Sequence, residues 1–254
     1  MAKSKHSKDK FYDNALLLVC IVVIIYCCSV MGRWAYQNVQ ERKNQEMLLE
    51  IAQTASNEMT YDENVDNVNE KHVNIIYDTN RSKINFKALE EINKDIIAWI
   101  KIPMIDLSTP IVQTTDNNYY LSKNFYKEDN KCGCLFMDYR NNANWNDGNS
   151  IIYGHNLVSG MMFGDLKKIY DGEVGTNISI YISTKDKNST YQMFSMYKVK
   201  ASYSLDFNHV NIKELIEKSE IECNKIPPEQ AKIISLVTCD GSGNGRLILH
   251  GYLK

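Results

Sequence analysis

The sequence has little proline and little glycine, 4 and 12 residues in 254. That excludes a collagen-like or low-complexity linker protein. No residue class is in large excess: 44% is hydrophobic and 24% charged, a globular composition that sets aside disorder and a polytopic membrane protein. Charge of one sign is also lacking. Lys plus Arg number 29 against 31 Asp plus Glu, for a net charge of −2, and nothing in that balance suggests a nucleic-acid partner. The seven cysteines are scattered. Cys20, Cys27 and Cys28 fall in an apolar run, where they act as small hydrophobes, and Cys132, Cys134, Cys223 and Cys239 are too few and too dispersed for a disulfide-stapled mini-domain. Cys132 and Cys134 form a C-x-C in KCGCLFMDY with no H-x-x-H or C-x-x-C nearby, so alternate positions of a strand are expected there rather than a metal site. Cys223 is read as packing at the end of a helix.

What is present begins at the N-terminus. Residues 1–33 carry Lys3, Lys5, Lys8, Lys10 and Arg33 against Asp9 and Asp13, so a basic head precedes a mildly acidic body. Between them, Ala15 to Gly32 reads ALLLVCIVVIIYCCSVMG without a charge. This is close to the ~20 apolar residues of a spanning helix, with Trp34 and Tyr36 placed to sit at an interface. The basic tail predicts a cytoplasmic N-terminus and an extracytoplasmic body. A cleaved secretory signal is the rival reading, but the run is long and no A-x-A-like site follows it.

The expected organisation is a cytoplasmic tail (1–14), a transmembrane signal anchor (15–32), a helical stalk and linker (33–83) and a catalytic domain (84–254). Residues 37–60 have helix-favouring composition, and 61–80 are rich in Asn, Asp and Glu and read as linker. In NFKALEEINKDIIAWIKIP, the spacing of Phe86, Leu89, Ile92, Ile96 and Ile97 predicts a helix ending before Pro103. From about residue 98 the texture changes to eight β-like runs: AWIKI, TPIVQT, CLFMDY, SIIYGH, NISIYIS, TYQMFSMYKVKASYS, KIISLVTC and RLILHGYL. Helical insertions are expected at 161–171 and 211–223. Eight strands with few long helices predict a mainly β domain, a closed or nearly closed antiparallel barrel.

Cys239 ends the apolar run KIISLVTC and is followed by the glycine-rich DGSGNG. It is either a core cysteine at a strand end or a nucleophile at a rim. A catalytic thiol needs a proton partner, because the thiolate is the nucleophile. Of five histidines, His6 lies in the tail, His72 in the linker and His209 in a loop before a helix. His155 ends SIIYGHN, a strand running into a polar loop as Cys239 does, and His250, inside the last strand, is its rival. Acyl transfer also needs a group to stabilise an oxyanion, and a guanidinium holds its charge at any working pH. Only five arginines occur, and Arg246 begins the strand after the Cys239 turn, where a hairpin would set the two about 5 Å apart.

At these residues the sequence resembles the sortases. SLVTC at 235–239 is similar to their T-L-x-T-C signature with Ser235 in the first position, Arg246 follows on the next strand, and YGHN at 153–156 resembles the segment carrying the family's histidine. INKDIIAWIKIP, TPIVQTTDNNYYL, LFMDYRN and the helix before the cysteine strand resemble class B in particular, and the likeness covers about residues 84–254. It implies an eight-stranded sortase-type β-barrel with N-terminal helices, acting as a membrane-anchored cysteine transpeptidase of a Gram-positive surface. Such an enzyme cleaves a C-terminal sorting signal of N-P-x-T-N or x-P-x-T-G type after Thr and passes the acyl group to an amine of the peptidoglycan stem peptide or its lipid-linked precursor. Carried over by position, Cys239 would be the nucleophile, His155 the general acid and base, and Arg246 the oxyanion partner. Asn117, Leu121, Val237, Thr238 and Asp240 would be groove candidates, with packing or turn roles as the alternative. No metal or organic cofactor is required. Two other readings are a thiol hydrolase with water as acceptor and a non-enzymatic anchored binding module.

Overall fold

The computed structural model describes residues 3–54 and 84–254. The expected linker at 61–80, with His72, lies outside them. The described chain divides into two compact units, Met1–Lys43 and Asn44–Lys254.

Helix α1 runs unbroken from Lys3 to Gln53. The segment expected as helical stalk continues the same helix as far as Gln53. Gly32 costs a helix interior only about 1 kcal/mol, and no proline falls before residue 53. The part of α1 from Leu16 includes a stretch long and apolar enough to cross a membrane, and that stretch is unburied.

In the second unit, α2 (Phe86–Ile92) starts at Asn85, whose side chain accepts the Ala88 N–H at 3.1 Å. It stops at Asn93. The predicted helix through Ile97 is therefore too long, because Ile96 to Ile102 form strand β1. Ile96 and Ile97 continue the helical spacing of Leu89 and Ile92, but Asn93 turns the chain: its Nδ2 donates to the Tyr120 hydroxyl and the Phe125 carbonyl.

The remaining strands are β2 (Leu107–Val112), β3 (Leu135–Met137), β4 (Asn149–Tyr153), β5 (Ser179–Ser183), β6 (Asn188–Lys200), β7 (Ile233–Cys239) and β8 (Gly245–Leu253). They close into a barrel in the order β1-β2-β3-β4-β7-β8-β6-β5, with β5 returning to β1. Eight strands and closure were legible in the sequence; pairing direction was not. β2 runs parallel to β3, and β4 parallel to β7, so the barrel is not wholly antiparallel.

The helical insertions are shorter than expected. α3 covers Leu166–Tyr170 and α4 covers Ile212–Glu217. Ahead of α3 the chain folds back through an Asn156–Met162 bridge, and beyond α4 the Glu220 N–H is drawn to the Met196 carbonyl on β6. Cys223 consequently lies past the helix, where burial pushes its thiol up despite a hydrogen bond with Ser219. Cys132 and Cys134 precede β3 in a turn instead of alternating along a strand. Gly133 between them has φ +64, outside extended backbone, and both cysteines pack in the core.

The barrel interior is filled by residues such as Ile100, Ile111, Leu135, Ile180, Met193, Leu236 and Leu249. A second apolar layer lies outside β4, β7, β8 and β6: Ile151, Val237, Ile248 and Tyr197, covered by Ile212 and Leu215 of α4. These outward rows run toward the site.

Candidate active site

β7 is buried from Ile233 to Thr238 and exposed only at Cys239, its last residue. β4 lies beside it in parallel, with Tyr153 level with Val237. The pairing continues past the end of β4: the Gly154 N–H donates to the Val237 carbonyl at 3.1 Å, and Asn156 Nδ2 donates to the Cys239 carbonyl at 2.9 Å. His155, between those two residues, is thereby brought level with Cys239. On the other side of β7, antiparallel β8 sets Arg246 directly opposite Cys239. Residues so opposed project from the same face of a sheet.

These side chains share one cavity of about 430 Å³. Asn117, Leu121, Val237 and Thr238 line it with them, as do Asn118, Phe136, Tyr153 and Gly154, which the sequence reading did not single out. Asp240 is not in the lining. Its carboxylate accepts the Ser242 N–H and hydroxyl at 2.8 and 2.7 Å, which ties it into the β7–β8 turn and holds its carboxyl below the usual range. His250 is also elsewhere, fully buried between Ser235 and Tyr197. His209 is exposed, as its loop position suggested.

The imidazole of His155 is oriented by the backbone. Its Nε2 lies 2.7 Å from the Leu121 carbonyl, an oxygen that only accepts, so Nε2 carries the hydrogen. In the neutral ring Nδ1 is then the nitrogen with a free lone pair. Gly133 backs the ring: a Cβ there would sit 3.1 Å from His155 Cδ2 and 2.6 Å from the Tyr120 carbonyl. The turn that presents Leu121 is itself pinned, since the Tyr120 hydroxyl donates to Asp95 Oδ2 at 2.8 Å and burial raises that phenol's pKa.

Tyr153, in the cavity wall, donates its hydroxyl to Asp138 Oδ2 at 3.0 Å. Asp138 is fully buried and paired fork to fork with Arg140, whose Nε and Nη2 reach its two oxygens at 2.9 and 2.8 Å. Burial opposes ionisation of Asp138, but the hydrogen bonds from Arg140 and Tyr153 outweigh it and hold the carboxyl below its ordinary range. Tyr153, by contrast, is pushed up to about 12, chiefly by burial and then by the Asp138 charge, so it stays a phenol. The LFMDYRN and YGHN segments already contained these groups, but a wall contact leaves no signature of its own in sequence.

Two groups in the cavity have spare hydrogen-bonding capacity. Arg246 uses Nη1 on the Tyr203 carbonyl at 3.4 Å, with no other hydrogen bond from its guanidinium among the described residues. Thr238 is buried, and its hydroxyl has no partner among them.

Comparison with known proteins places the chain in a family. A model of the sortase domain matches residues 100–254. Sortase B of Listeria monocytogenes is 28% identical over 256 residues, covering 96% of this chain and 97% of its own. Sortase B from Bacillus anthracis, solved in complex with AAEK1, superposes with a TM-score of 0.67 at 28% identity, covering 86% of this chain and 98% of its own. A Staphylococcus aureus sortase B–substrate complex gives 0.67 at 26% identity with the same coverage. With the family model spanning more than half of its length and class B sortases on both sides of the comparison, the chain belongs to the sortase family, a family of cysteine transpeptidases, and to its class B.

Proposed function

We propose that this sortase is held in a cell membrane by residues 15–32, with residues 1–14 cytoplasmic, 33–83 as spacer and 84–254 as an extracytoplasmic catalytic domain. It cleaves sorting signals of N-P-x-T-N or x-P-x-T-G type after Thr and joins the new carboxyl to a peptidoglycan amine. The observation that carries the reading is the opposition of Cys239 and Arg246 across β7–β8, with His155 level with them just past the end of β4 and all three opening on one cavity.

The chemistry follows from those positions. The Cys239 thiol gives its proton to His155 Nδ1, its sulfur attacks the carbonyl carbon after Thr, and the displaced electron pair moves to oxygen beside the Arg246 guanidinium. As the C–N bond breaks, His155 passes a proton from Nδ1 to the departing amine, leaving a thioester. The incoming amine then loses a proton to the same nitrogen as it attacks, and the thiolate is released. The Leu121 carbonyl keeps Nε2–H fixed throughout, so one nitrogen serves both half-reactions. Asn117, Leu121, Val237 and Thr238, which line the cavity, contact the signal peptide. The Staphylococcus aureus relative, solved as a sortase B–substrate complex, supports a substrate-binding role for this chain.

The test is mass spectrometry of the enzyme after incubation with a panel of signal peptides, with and without a diamine or a stem-peptide amine. An acyl adduct on Cys239 that is discharged faster when amine is added is expected. Product release that ignores the amine would make the protein a hydrolase, and absence of any adduct across the panel would leave only a binding module.

A further inference from the structure

His250 has no part in the chemistry above, yet its partners sit on the strands that carry that chemistry. Ser235 stands four residues before Cys239 on β7, and His250 four residues after Arg246 on β8, so each shares a face with its catalytic neighbour. They are directly opposite each other across the β7–β8 pair. Ser235 Oγ donates to Asn149 Oδ1 at 2.7 Å, and Asn149 opens β4, the strand that leads to His155. The serine proton is thereby committed. The 2.8 Å contact of His250 Nδ1 with Ser235 Oγ must then be an N–H donated to that oxygen, which leaves Nε2 to accept from the Tyr197 hydroxyl on β6 at 3.0 Å. Asn149 is held further by its Nδ2, which donates to the Asp206 carbonyl at 3.0 Å. Ser235 and His250 are 0% exposed, Asn149 2% and Tyr197 1%.

A dry chain of this kind is satisfied in one register of the three strands, because a slip by one residue turns every side chain to the other face. Between the Ser235–His250 pair and the site lies the in-register row Tyr153, Val237 and Ile248, and the four residues from Ser235 to Cys239 span about 13 Å of close-packed strand that transmits displacement instead of absorbing it. We infer that Asn149, Ser235 and His250 form a register lock, centred on the Ser235 hydroxyl, that positions Cys239, His155 and Arg246 at the far end of the same three strands. Ser235, His250 and Asn149 are positioning residues and touch no reacting atom. The lock rests on reading those three residues as the reacting groups. It also gives a reason for the hydroxyl that opens SLVTC, and burial keeps His250 neutral in its Nδ1–H form.

The full chain in detergent micelles is compared as wild type, Ser235→Ala, Ser235→Thr and Cys239→Ala, with a signal peptide as substrate. Cys239→Ala sets the floor: turnover by that variant refutes the site itself, independently of the lock. Ser235→Ala is expected to lower kcat by about 10- to 100-fold with KM within about twofold, since the loss is one of alignment. Alkylation of Cys239 by iodoacetamide at about pH 10, where a thiol ionises without help from a neighbouring imidazole, should stay within about threefold of wild type. Ser235→Thr, which keeps the hydroxyl, should recover most of the loss. A Ser235→Ala enzyme with wild-type kcat, or one whose alkylation falls as far as its kcat, overturns the lock. A second measurement is independent of how that variant folds: nitrogen-15 spectra of the wild type must show His250 as the Nδ1–H tautomer, and an Nε2–H tautomer overturns it.

Discussion

Cys239 is exposed because β7 ends there, and its side chain fills no core space, so its removal separates chemistry from stability. Cys239→Ala should keep the wild-type melting temperature and lose activity by about 10⁴-fold or more, read as initial rates of peptide cleavage. Arg246→Lys is a subtler probe. An ammonium keeps the charge but lacks the planar set of donors, so kcat should fall about 10- to 100-fold with little change in KM; an unchanged kcat would mean that charge alone suffices. His250 tests burial instead. Its imidazole is held down to about 3, chiefly by burial and then by Lys218, whereas in the unfolded chain it titrates near 6.5. As pH falls below about 6.5 the unfolded chain takes up a proton that the fold refuses, so stability drops by about 1.4 kcal/mol per pH unit until about pH 3. Above 6.5 this contribution is fully present. Urea titrations at pH 7, 5.5 and 4.5 should show a shallower decline for His250→Gln than for wild type, and equal slopes would place His250 in contact with water. At this scale Cys239, His155 and Arg246 could be read from residue type and strand-end position. The Leu121 carbonyl that orients His155 could not, because every residue carries a carbonyl and only the fold selects one.

At the scale of the element, the strands were readable because apolar runs broken by Asn, Asp and Gly clusters mark where extended chain begins and ends. Their partners were not. β4 and β7 are separated by more than 70 residues, and nothing in SIIYGH or KIISLVTC states that they pair in parallel, yet that pairing brings His155 to Cys239. The helix drawn through Ile97 failed for a related reason: apolar spacing cannot distinguish a helix face from a strand buried on both sides, and β1 is such a strand. Gly154 shows how tightly the β4 exit is built. A Cβ at that position would run into Leu135 Cδ2 and meet the Phe163 ring at 2.8 Å, inside the core. Gly154→Ala should therefore push the segment outward, destabilise the fold by about 1–3 kcal/mol and misplace His155, with the loss in kcat exceeding that in melting temperature. Thermal melts alongside initial rates would check this; an alanine variant with wild-type rates would show that the exit can yield without moving the imidazole.

For the whole molecule, the proposed orientation can be tested through the distribution of its own cysteines. Cys20, Cys27 and Cys28 lie in the apolar part of α1, where bilayer would shield them. Cys132 and Cys134 are buried in the barrel domain at 4% and 3% exposure, and Cys223 is half-buried with its thiol raised by burial, which slows any reaction that needs the thiolate. Cys239 is exposed at the barrel rim. A membrane-impermeant maleimide should therefore report on one sulfur. With the lysine-rich tail inside, as the positive-inside rule requires, brief treatment of intact cells labels the wild-type protein and leaves Cys239→Ala unlabelled. Labelling that appears only after the membrane is ruptured would place the catalytic domain in the cytoplasm and contradict the proposed acceptor, which is outside. The same gel tests the cleaved-signal alternative: a labelled band shortened at its N-terminus and released by carbonate washing would show that the apolar segment is removed, whereas a full-length band retained in the membrane keeps α1 as the anchor.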